Sequence, residues 1–116
     1  MTIERLDNGP RFSRALTYNG TLYTAGLTAD NLDGDTEAQT REILGKIDRY
    51  LAQAGTDKSR LLTTQIWLRD IADFEQMNKV WDAWIDKSGM PVRATVEARL
   101  AGERYRVEIM VTAALK

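Results

Sequence analysis

In MPVRATVEARL, residues 90–100, a proline is followed two places later by Arg93, and polar and apolar residues then alternate. Arg93, Thr95, Glu97 and Arg99 fall on one side, and Ala94, Val96, Ala98 and Leu100 on the other. Period two is the signature of a strand. A guanidinium at the mouth of a strand suits one chemistry well. Its planar fork grips a carboxylate through two parallel charge-assisted hydrogen bonds, which a lysine cannot do. The competing use is an ion pair with Glu97 or Glu108 across a subunit seam, which contributes little on a surface.

Composition narrows what else is chemically available. The chain has neither cysteine nor histidine. That removes thiol nucleophiles and His-based triads, and it disfavours zinc and non-haem iron sites. Neither GxxxxGK[ST] nor GxGxxG occurs, so no phosphate-cradling loop is encoded. A net charge of −1 without a basic block gives nucleic acid no electrostatic footing. No apolar run reaches the length of a membrane span, and MTIERLDNG lacks the features of a signal peptide. A cytoplasmic protein is expected, with reaction chemistry left to arginine, carboxylates, hydroxyls, backbone and water.

The 116 residues, 43% of them hydrophobic, suit a single domain over residues 1–116. Asn19-Gly20 between β-prone segments predicts a hairpin with strands at 13–18 and 21–26, because both central residues of a type I′ turn need positive φ. Asp33 or Asp35 can cap a helix whose apolar stripe is Ala38, Ile43, Leu44, Ile47, Leu51 and Ala54, with Gly55 ending it. LLTTQIWLRD (61–70) reads as a strand with Leu62, Thr64, Ile66 and Leu68 on one face. Asp70 or Asp73 starts a second helix, stopped by Gly89 and Pro91, that buries Phe74, Met77, Trp81, Trp84 and Ile85. Strands at 93–100 and 104–114 close the chain.

This order, β-β-α-β-α-β-β, is α+β. Two helices cover one face of a mixed sheet, giving a two-layer sandwich. The second face is expected to carry Gln65, Trp67, Arg93, Thr95, Glu97, Arg99, Arg106, Glu108 and Met110. That mixture is too polar for a dry core and too elaborate for solvent, so it predicts a homo-oligomer with polar groups in the seams.

GPRFSRALTYNGTLYTAG, EAQTREILGKIDRYLAQAGTDKSRLL, DFEQMNKVWDAWI, MPVRATVEARL and YRVEIMVTAAL resemble the RidA (YjgF) family of reactive-intermediate deaminases, and most closely its short YoaB-like members. The resemblance runs through nearly the whole chain. It implies a chorismate-mutase-like fold, a homotrimer with three sites in the clefts between neighbours, and no metal or organic cofactor. The implied activity is hydrolysis of imino and enamino acids, such as 2-aminoacrylate and 2-iminobutanoate, to 2-keto acids and ammonia. Arg93 matches the arginine that holds the substrate carboxylate. The imine carbon sits beside that carboxylate, so fixing one places the other, and much of the rate gain comes from orientation. Thr95, Gly26, Phe12 and Asn78 match substrate-contacting positions; Phe12 stands where many relatives have tyrosine. The resemblance sets Met110 where many deaminases carry a water-positioning glutamate, with Glu108 one pleat pair earlier as a possible substitute. Two functions therefore stand at this point: an imine deaminase anchored by Arg93, and a non-catalytic trimer that binds small carboxylates.

Overall fold

The computed structural model describes all 116 residues. Along the chain run β1 (Glu4–Asn8), β2 (Ser13–Tyr18), β3 (Thr21–Thr24), α1 (Thr36–Gln53), β4 (Leu61–Leu68), α2 (Phe74–Trp84), β5 (Val92–Glu97) and β6 (Val107–Ala114). Single 3-10 turns at Lys58–Arg60 and Ile71–Asp73 precede β4 and α2.

The six strands form one sheet in the order β1-β2-β3-β6-β4-β5. Only β4 and β5 are parallel neighbours; every other pair is antiparallel. Because β3 and β4 both run against β6, they run with each other. The β3–α1–β4 and β4–α2–β5 connections therefore step the same way across the sheet. Right-handed crossovers in one direction must put both helices on one face. The α+β two-layer fold with a mixed sheet follows.

Local signals set the element ends. Asn19 and Gly20 both have positive φ, 51° and 80°, as the β2–β3 turn requires. The Asp35 carboxylate accepts from Ala38 N–H at the start of α1, and Gly55 at φ 75° ends it. Asp70 caps the 3-10 turn rather than α2 itself, which starts at Phe74. Ile43 and Ile47 of α1, Met77 of α2, Ile66 of β4 and Ile109 of β6 are fully buried between the layers.

β3 stops at Thr24 instead of residue 26 and β6 begins at Val107 instead of residue 104, and four further features differ from the sequence expectation. Residues 4–8 form an additional strand, β1, which carries no period-two apolar pattern. It pairs on one side only, with β2, and the Tyr50 hydroxyl donates to Asp7 at 2.6 Å from the helix layer. Tyr50→Phe should cost about 1.5–3 kcal/mol, the net worth of a hydrogen bond to a charged group. Urea denaturation checks the cost, and amide exchange should show β1 loosening first.

In β4 a register shift between Leu61 and Thr63 reverses the start of the strand. Leu61 is buried and Leu62 exposed, because the bulge changes which residue points inward. β5 ends at Glu97, not at residue 100, and Leu100 adopts φ 65°.

Most consequentially, the faces of β5 are exchanged. Arg93 lies beside Thr64 and Thr95 beside Ile66, so both share the helix-side face, and the Glu97 carboxylate accepts from Ile71 N–H in the turn before α2. The open face receives Val92, Ala94 and Val96 instead. Alternation separates two faces of an edge strand; parallel pairing with β4 decides which is which.

Candidate active site

Arg93 projects from edge strand β5 toward α2. Its guanidinium carbon lies 5.2 Å from the centroid of the Trp81 ring and 5.8 Å from that of Phe74. Residues 74 and 81 are seven apart, two helical turns, so both rings face the strand together. Burial pushes the guanidinium below the usual arginine range, against which the Asp82 carboxylate acts. No hydrogen bond or salt bridge within the chain engages it. Arg93 shares an open cleft of about 290 Å³ with Asn78, Trp81, Asp82 and Met90. Thr95 is not part of this cleft wall. Its hydroxyl and that of Thr64, the neighbour of Arg93 across the β4–β5 pair, are buried without a hydrogen-bond partner.

Phe12 and Gly26 lie elsewhere, in the wall of a cavity of about 710 Å³ near α1. The Glu108 side chain rests against Gly26: a Cβ on Gly26 would stand 2.1 Å from Glu108 Oε2 and 3.0 Å from its Cδ. Only glycine admits the carboxylate there. Burial alone holds the Glu108 carboxyl above the usual range. Glu108 sits opposite Trp67 on the open face of the sheet, whereas Met110 sits opposite Gln65, one pleat pair further along. Glu108, not Met110, is the last-strand residue that meets Gly26.

The residues singled out by sequence thus form two groups: Arg93, which shares one cleft with Asn78 and a second, of about 470 Å³, with Met110, and Phe12 with Gly26 and Glu108. Glu108 on β6 lies two strand spacings from β5, roughly 10 Å at ~4.8 Å each, and on the opposite face of the sheet from Arg93. One chain does not bring the two groups together around a small molecule.

The comparisons with known proteins bear on the whole chain. The profile of the family described as Endoribonuclease L-PSP matches residues 2–115. The RutC family protein YoaB of Escherichia coli is 44% identical over 115 residues, spanning 99% of this chain and 100% of its own. A RutC family protein of Haemophilus ducreyi is 43% identical, spanning 97% of each chain. A member of the YjgF protein family from Neisseria meningitidis superposes with a TM-score of 0.94 at 44% identity, covering 100% of this chain and 97% of that one. The chain belongs to the YjgF/RutC family.

For this YjgF/RutC protein, the sequence singles out Arg93 as the candidate anchor and assigns Trp81 to packing. Trp81 is indeed only 5% exposed, yet its ring also forms the surface on which the guanidinium lies. The i, i+7 spacing of Phe74 and Trp81 carried that signal. Gly26→Ala tests the second group. The added methyl must displace the Glu108 carboxylate, so activity at the site should fall by about the tenfold to hundredfold expected when a reacting group is displaced by an ångström, while a thermal melt stays near wild type.

Proposed function

We propose that this YjgF/RutC-family protein is a hydrolytic deaminase of imino and enamino acids such as 2-aminoacrylate and 2-iminobutanoate. In this reading it acts as a homotrimer, with each site formed where Arg93 and Asn78 of one subunit meet Phe12, Gly26 and Glu108 of the next. The observation that carries the reading is the Arg93 guanidinium, held on two aromatic rings, partly desolvated and bound by nothing in its own chain. A cation so placed is ready for an external carboxylate.

The assembly is supported by the open sheet face, where Val92 is 69% exposed, Val96 46% and Met110 38%. Exposed apolar side chains gathered on one sheet face indicate an interface.

The reaction needs no group beyond those present. An enamine first tautomerises to the imine. With the carboxylate on Arg93, the adjacent imine carbon faces the neighbouring subunit's Glu108. Glu108 takes a proton from water as the oxygen bonds to that carbon. That proton goes to the imine nitrogen to give a carbinolamine; Glu108 then takes the hydroxyl proton as the C=O forms and passes it to the nitrogen as the C–N bond breaks, so that a 2-keto acid and ammonia leave. A base of raised pKa suits both transfers. The carboxylate against Gly26 favours turnover over simple binding. Thr95 contributes its backbone strand position and no side-chain contact to the cleft.

The ribonuclease in the family description has no footing here, since the chain lacks histidine and carries a net charge of −1. No helix is long and apolar enough to cross a membrane, and a cytosolic role is part of the proposal.

The test couples a pyridoxal-phosphate dehydratase, which generates the imine, to the purified protein. Faster loss of the imine, with sedimentation at three chains, supports the reading. A folded protein that leaves the imine lifetime unchanged overturns it.

A further inference from the structure

The largest cavity in the molecule, about 710 Å³, begins at Phe12 and Gly26 and extends between the β1–β2 edge and α1. Its charges are unevenly committed. Lys46 Nζ donates to Thr28 O and to Asp30, each at 2.8 Å, and lies 3.7 Å from Glu42. Asp30 is thereby neutralised, and the Glu42 carboxylate accepts from the backbone N–H groups of Asp30 and Asn31. Asp7 accepts the Tyr50 hydroxyl. These groups secure the walls.

Arg14 and Arg49 also line the cavity, and neither takes part in a salt bridge. Arg14 lies over the Phe12 ring at 5.4 Å, and Arg49 over the Tyr50 ring at 5.5 Å. After Lys46, both help hold the Asp30 carboxyl below its usual range, so the fields of both reach the same basin. Two guanidiniums steadied on aromatic rings, with no carboxylate in salt-bridge contact, make a pre-organised anion site.

We propose that this cavity receives a second anionic group on the substrate, so that the preferred substrates are imino acids with an acidic side chain. The inference rests on the deaminase reading, because Phe12 and Gly26 belong both to the proposed reaction site and to the cavity mouth. A substrate whose imine carbon faces Gly26 and Glu108 directs its side chain past Phe12 toward Arg14 and Arg49. A short aliphatic side chain would leave most of the cavity to water. A terminal carboxylate would meet both guanidiniums.

Two measurements separate this proposal from the reading beneath it. The first is calorimetric binding of stable product-type ligands, 2-oxoglutarate and 2-oxobutanoate, to wild type, Arg14→Gln, Arg49→Gln and the double variant. Wild type should favour the dicarboxylate by about tenfold to a hundredfold, the worth of a hydrogen bond to a charged group. Each glutamine should shrink that ratio, and the double variant should bring it close to one. Circular dichroism establishes that the variants are folded. A ratio of one for wild type, or a ratio unmoved by both substitutions, overturns the proposal.

The second is hydrolysis of imines generated by an amino-acid oxidase from glutamate and from leucine, compared as kcat/KM. Turnover of both without preference sinks the acidic-substrate inference and leaves the deaminase reading standing. Absence of turnover alongside arginine-dependent dicarboxylate binding sinks the deaminase reading and keeps the cavity as an anion site.

Discussion

Replacing Arg93 by alanine is expected to lower kcat/KM for 2-iminobutanoate by ~30-fold to ~4,000-fold. The range is what truncating one member of a partly buried, hydrogen-bonded charge pair costs, about 2–5 kcal/mol, converted at about 1.4 kcal/mol per decade. Both KM and kcat should suffer. In the proposed mechanism the carboxylate is held in the ground state and in the transition state, and its fixing also aims the imine carbon at the attacking water. Arg93→Lys should recover only part of the loss, because an ammonium keeps the charge and lacks the bidentate fork. The fold should be almost indifferent. Arg93 makes no hydrogen bond or ion pair in the chain, and its contacts with Phe74 and Trp81 are of the cation–π kind, worth about 0.5–1 kcal/mol at a partly exposed site. A near-wild-type melt beside a collapsed rate would separate this role from that of a structural seam arginine. Equal rates for wild type and Arg93→Ala would remove Arg93 from the site.

That the arginine was visible in the sequence while its surroundings were not has a physical cause. Guanidinium, proline and strand periodicity are local, and so are the Asn19-Gly20 turn, the Asp35 cap and Gly55. The neighbours of Arg93 depend on strand order. Nothing local says that β6 inserts between β3 and β4, or that β5 pairs with β4 in parallel instead of with β6, to which it is joined in sequence. From that pairing follow the helix-side position of Arg93, the open-face position of Val92 and Val96, and the separation of Arg93 from Gly26. β1 escaped for another reason. An edge strand held by one ladder and one side-chain hydrogen bond buries too little to need an apolar pattern. The bulge that exchanges Leu61 and Leu62 is likewise invisible to a strict period of two.

Of the two last-strand candidates for the water-positioning group, Met110 by alignment and Glu108 one pleat pair earlier, the proposed mechanism uses Glu108. Met110 has no acidic group, so a carboxylate at this site has to come from Glu108. The contact between Glu108 and Gly26 supplies one. Glu108→Gln should therefore lower kcat by about 10²-fold to 10⁴-fold, the range for loss of a positioned general base, with a much smaller change in the binding of a product-type keto acid. Met110→Glu in the same background distinguishes the two positions: absence of rescue keeps the role at Glu108, and rescue moves it to residue 110, which shares a cleft with Arg93.

The pH dependence carries a sign that a structural glutamate would not give. Burial holds the Glu108 carboxyl above 4.5 in the folded protein, and the base works only when ionised. The rate should fall as pH drops through that raised value, and this acid limb should vanish in Glu108→Gln. Stability moves the other way. Between the unfolded and folded values the folded state binds the extra proton, so stability declines as pH rises through that window and stays lower above it. Ionised Glu108 therefore costs folding free energy at neutral pH, where the proposed mechanism needs it as a base. Glu108→Gln should melt at a higher temperature than wild type at pH 7, with the difference closing once pH falls below the unfolded carboxylate value. A variant both less active and more stable is what a carboxylate placed for chemistry predicts. A Glu108→Gln protein that melts lower and keeps its rate would mark Glu108 as an ordinary structural contact of the sheet.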